Sequence, residues 1–228
     1  MTGQFNTTAV PTTIRGVIAA RIDRLDAERR RILQEASVIG REFLFTILSQ
    51  VSGGDAALEE DLSALETADL IRKGQADPDL EYLFKHALTQ GVAYQGLLRS
   101  KRHELHGRVG QAMERLLGER QREYAESIAY HFQNSDMPAR AVPYLLLAGK
   151  KAVERYALAE AESYYQAAYD ILRDQSASDA RDHELLELLN EWALLDYYTG
   201  DIPRMSRLME EHSDLLDRCM TWNCAECG

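Results

Sequence analysis

Apolar residues in this chain recur at helical spacing almost throughout and change to strand-like spacing in one place, Leu70 to Gly74 and Leu80 to Phe84. Those two runs flank Gln75-Ala-Asp-Pro-Asp79, a turn of Asp and Pro type, and so predict one β-hairpin in a helical chain. The helices ahead of it follow from period and caps. Ile14, Val17, Ile18 and Leu25 mark the first; Asp26 caps a second that carries Ile32, Leu33, Ala36 and Ile39 and ends at Gly40. Phe43 to Val51 predicts a third helix with Leu44, Ile47 and Leu48 inward, and Asp55 a cap for a fourth with Leu58, Leu62, Leu65 and Leu70. Helices followed by a two-stranded hairpin predict a winged-helix-like domain over residues 12–99, behind an N-terminal tail of residues 1–11.

Charge decides what such a domain faces. Of the net −11, residues 1–118 carry 15 Lys/Arg against 16 Asp/Glu, and residues 119–228 carry 11 against 21. The acidic second half repels phosphates. The fourth helix, which would enter a DNA groove, holds Glu59, Glu60, Asp61, Glu66 and Asp69 and neither Lys nor Arg, while the wing offers Arg72 and Lys73. Groove reading needs cations for phosphates and donors for base edges, so the expectation is a protein-facing domain without nucleic acid. No apolar stretch approaches the roughly 18 residues of a membrane helix. The start lacks a basic, apolar leader, which predicts a cytoplasmic protein without a membrane partner.

From Ser100 the pattern is helical only. Residues 100–122 read as a connecting helix with Leu105, Val109, Ala112, Met113 and Leu116 at helical spacing. His103 and His106 resemble a metal pair by type, but they stand three apart with no further ligand, and a surface helix is the expectation. In residues 123–218 a small residue is twice followed by a large one four later and Ala seven later: Ala141, Leu145, Ala148, then Ala161, Tyr165, Ala168. Small residues at that spacing let the paired helices of a hairpin approach closely, as in tetratricopeptide arrays, although the interval of 20 is shorter than the usual ~34. Lys150 to Tyr156 therefore reads as fused to its predecessor; helices near 181–199 and 203–218 follow, with Gly200-Asp201 as the turn. In the tail, 219–228, Cys224 and Cys227 have the spacing of half a zinc site or a redox pair. With Cys219 and His212 they would supply four ligands, against the alternative of a ragged chain end.

The motifs in order carry a resemblance. Pro11 to Leu25, Ala36 to Phe43, Phe84-Lys-His-Ala-Leu88, Lys101 to His106 and Ile128 to Phe132 resemble the region that follows the nucleotide-binding domain in bacterial STAND ATPases, over about residues 10–173. Many members of that family carry a class III adenylate/guanylate cyclase domain at the front, others a DNA-binding output domain. The resemblance implies a mainly α fold, a winged-helix-like domain followed by tetratricopeptide-like repeats. It also implies a role in signal transduction and ATP or ADP as cofactor of a parent protein. The phosphate-binding loop GxxxxGK[ST] is absent: the one Gly-Lys pair, Gly149-Lys150, lies inside a helical pattern. The expectation is a chain without cofactor or catalytic residues of its own, the C-terminal piece of a larger protein, with an upstream nucleotide-binding domain as partner in cis. Protein partners are expected to bind through the repeats.

By the same resemblance, His86 matches a histidine that in related signalling ATPases reaches the ADP phosphate and holds the inactive state. Ala87 stands where immune receptors of that kind usually have Asp. The role is expected only with an ATPase domain upstream; for the chain alone the expectation is a half-buried histidine fixing a helix start. A winged-helix transcriptional regulator and an unrecognised enzyme remain as alternatives.

Overall fold

The computed structural model describes residues 12–54, 57–74 and 79–216. They form two compact units, divided between residues 116 and 117. In the first, α1 (Thr12–Asp23) and α2 (Ala27–Ile39) are joined by a tight turn. Asp26 caps α2 by accepting from the Arg29 amide at 2.9 Å. Arg30 reaches back over that turn, donating to the carbonyls of Ile22 and Leu25. The chain then runs through β1 (Glu42–Leu44), α3 (Phe45–Ser52), α4 (Leu58–Thr67), β2 (Ile71–Lys73), β3 (Glu81–Phe84), α5 (Ala87–Gln95) and α6 (Arg99–Leu117).

The sheet corrects the expectation of one hairpin. Three strands pair in the order β1-β3-β2, both pairings antiparallel, with Phe43 opposite Tyr82 and Ile71 opposite Phe84. Residues 43 and 44 lie in β1 rather than in the third helix, which begins at Phe45 and keeps Ile47, Leu48 and Val51 buried; Leu44 is half-buried. The reason is cross-strand packing. Phe43 stacks on Tyr82 with ring centroids 5.9 Å apart and touches Phe84 at the same distance, an aromatic cluster that a helix at Phe43 would not align. Along β3 burial alternates, Tyr82 and Phe84 turning onto a core of Ile32, Leu33, Leu62, Leu65 and Leu70. Asp55, expected to cap α4, and residues 75–78 of the hairpin turn lie outside the described residues.

The second unit holds α7 (Ala125–Gln133), α8 (Val142–Glu154), α9 (Leu158–Arg173), α10 (Asp179–Thr199) and α11 (Ile202–Glu211), with short 3-10 turns at Gly118–Arg122 and Pro138–Ala141. Ser178 caps α10, its hydroxyl accepting from the Arg181 amide at 3.2 Å. Gly200 ends that helix at φ +77, a left-handed turn that glycine adopts without steric cost, as the Gly200-Asp201 signal predicts. Lys150 falls inside α8, so the segment expected to be fused to its predecessor is one helix with it as far as Glu154. No described helix is long and apolar enough to cross a membrane.

Candidate functional site

His86 is positioned by the change from strand to helix. β3 ends at Phe84, buried in the core, and Lys85 and His86 follow as exposed residues. His86 is the N-cap of α5 in extended backbone; its carbonyl accepts from the Thr89 amide at 2.9 Å, and its imidazole makes no capping bond. This corrects the half-buried reading: the backbone begins the helix and the ring stands in solvent.

Charged groups gather beside it. Lys85 forms an ion pair with Asp69, which stands two residues before the start of β2 at Ile71. Asp69 has φ +61, the left-handed region that Asp tolerates better than most side chains. The hydrogen bond from Lys85 holds its carboxyl below the usual range, with the Lys85, Arg21 and His86 charges acting in the same direction. Arg21 also donates to the Ala68 carbonyl at 2.9 Å, fastening α1 to the end of α4. Two cations, Lys85 paired with Asp69 and Arg21 bound to the neighbouring Ala68 carbonyl, thus lie by the start of α5, where helix-end amides favour negative charge. Chemically the arrangement can hold an anion.

The residues singled out by the small-large-small spacing lie at or within two consecutive helices. Ala141, Leu145 and Ala148 at and within α8, and Ala161, Tyr165 and Ala168 on α9, are all buried. The closest approach falls at a residue the pattern did not single out. A Cβ on Gly149 would lie 2.1 Å from Cε1 of Tyr165, so the ring rests on bare backbone there. The signal was available in a glycine inside a long helical period, which usually marks such an approach.

The remaining candidates separate. His106 is buried, against the surface reading; Tyr94 pairs with its Nε2 at 3.0 Å, and burial pushes the imidazole down to about 4. No group of three metal-binding side chains occurs among the described residues. Cys219, Cys224 and Cys227 lie outside them, and the Nε2 of His212 is engaged by the Tyr169 hydroxyl at 3.0 Å. Buried carboxylates carry ion pairs: Glu35 with Arg31, Asp61 with Arg29, Asp196 with Arg204. On α4, Glu59 and Glu60 are exposed.

No protein-family model matches the chain, and no solved structure matches it. Among curated proteins the chain is similar to an uncharacterized protein of Rhizobium meliloti (strain 1021), 26% identical over 208 residues that cover 89% of this chain and 20% of that protein. The chain spans about one fifth of the length of that relative.

Proposed function

We propose that this chain is a non-catalytic regulatory and protein-interaction segment of a STAND-type signalling ATPase. Its first unit works as a winged-helix-like domain beside an upstream nucleotide switch, and its second as a tetratricopeptide-like array that binds a protein partner. The observation that carries the reading is the exposed His86 imidazole at the start of α5, with Lys85 and Arg21 nearby and no protein group capped by the ring. An imidazole at a helix start beside two cations is suited to a nucleotide phosphate. The order helix, helix, strand, helix, helix, strand, strand in the first unit supports the winged-helix-like reading. The close Ala and Gly contact between α8 and α9 supports the repeat reading. A relative of about five times the length fits a segment of a larger protein. Exposed Glu59 and Glu60 on α4 weigh against a transcriptional regulator, because they would meet DNA phosphates.

The test uses nucleotide. In a longer protein that joins this segment to an ATPase domain, His86→Ala should speed ADP release roughly 10- to 100-fold, since a hydrogen bond to a charged group contributes about 1.5–3 kcal/mol. The 228-residue chain alone should neither hydrolyse ATP nor hold ADP tightly. Unchanged ADP release in the variant would remove His86 from the switch, and tight ADP binding by the chain alone would remove the dependence on another domain.

A further inference from the structure

Between α10 and α11 lies a partly open cavity of about 140 Å³, walled by Leu186, Leu189, Ala193 and Asp196 of α10 and by Met205 and Leu208 of α11. A cavity near 150 Å³ holds one benzene-sized molecule. Its lining is apolar except at Asp196 and the exposed Asn190. Asp196 is fully buried; its Oδ1 accepts from Arg204 Nε at 2.8 Å, and its Oδ2 has no hydrogen-bond partner. A buried acceptor left unsatisfied is costly, so a donor that reaches it is favoured. Arg204 does not neutralise the neighbourhood. It also pairs with Glu162 and lies 3.6 Å from Asp201, two partly exposed carboxylates outside the cavity walls, so its charge is shared beyond Asp196.

We propose that this cavity binds a small primary amine with an apolar body of about benzene size, whose ammonium donates to Oδ2 of Asp196 while the body lies against Leu189, Ala193 and Leu208. Apolar walls select the body, and the unpartnered carboxylate oxygen selects a charged donor over a neutral alcohol. Asp196 is fully buried, so access to Oδ2 requires a side-chain movement, to which the unbranched Met205 in the wall is suited. The inference rests on the second unit alone and is independent of the nucleotide reading of His86.

The full chain is titrated with benzylamine by calorimetry and by backbone amide shifts, beside benzyl alcohol as neutral isostere and ethanolamine as an ammonium without the apolar body. Benzylamine should move the amides of Leu189, Ala193, Met205 and Leu208, and both comparison compounds should bind at least about tenfold more weakly. Met205→Trp, which fills the space, should abolish binding at unchanged helicity, and Asp196→Asn should erase the preference for amine over alcohol. Should Asp196→Asn fail to fold, the isostere and Met205→Trp arms decide. Benzyl alcohol binding as well as benzylamine, amide shifts confined to other residues, persistence of binding in Met205→Trp, or absence of benzylamine binding would each overturn the proposal.

Discussion

The pair α8 and α9 and the pair α10 and α11 are both antiparallel helix contacts in one unit, and they are built on opposite principles. Between α8 and α9 small residues remove volume until Tyr165 lies on the backbone of Gly149, and every patterned residue is buried. Between α10 and α11 no residue of α11 is fully buried, a cavity of about 140 Å³ remains, and Arg204 reaches across to Asp196. The first contact is held by packing, whose strength follows from complementarity. The second is held by an ion pair and half-covered side chains, which places it at the weaker end of local stability. A helix pair can thus share topology with its neighbour and differ in what it can admit.

The contrast breaks most visibly at Tyr165. Tyr165→Ala should destabilise the unit by roughly 3–5 kcal/mol, the range for deleting a large buried ring. Tyr165→Phe should be nearly neutral, because the buried hydroxyl has no partner to lose. Urea denaturation of both variants checks the pair, and equal losses would mean that the hydroxyl carries the contact.

The same contrast between closed and open recurs in two Tyr–His pairs. Tyr94 with His106 and Tyr169 with His212 share a 3.0 Å contact and edge-on rings, yet His106 is buried and His212 half-buried. Burial holds the folded pKa of His106 at about 4, below the ordinary 6.5, so between those values the unfolded chain takes up the proton first. This contribution is complete above pH ~6.5 and is lost as pH falls toward ~4, on the order of 2–3 kcal/mol in all. Urea melts of His106→Gln should show a shallower pH dependence across that window; an identical slope would remove His106 from the acid limb.

Adding one carbon probes the close contact itself. Gly149→Ala gains about 1 kcal/mol of helix propensity but sets a Cβ into the Tyr165 ring, and overpacking costs about 1–3 kcal/mol. A net loss of about 1 kcal/mol is expected, with Ala148→Leu losing more. Melting temperatures raised by either substitution would show space that the structure lacks.

The smallest global effect belongs to the loose pair. Arg204→Met leaves Asp196 buried without its cation, and α11 relieves that by detaching. Hydrogen exchange in Ile202–Glu211 should accelerate about tenfold or more, with α8 and α9 unchanged and the global melt lowered by about 1 kcal/mol or less. Acceleration in α8 as well would mean that the two contacts form one cooperative block.

Much of this architecture was legible in the residues alone. Asp26 and Gly200 mark helix ends through chemistry local to their own turns, and the Ala141, Leu145, Ala148 and Ala161, Tyr165, Ala168 series needs only the helical period to place six residues on contact faces. His86 at a helix start was legible for the same reason: the switch from strand to helix period falls beside it. Partners distant in sequence were not. Glu42–Leu44 carries too few residues to display a period of two, and it became a strand because β3, about forty residues later, offered Tyr82 to Phe43. The exposure of His86, the Lys85–Asp69 pair and the burial of His106 depend on which surfaces meet. So does the unpaired oxygen of Asp196, since nothing near that residue in sequence says that Arg204 will take one oxygen and leave the other. Local propensity and period are properties of a segment, and burial and pairing are properties of the fold, so only the tertiary structure decided them.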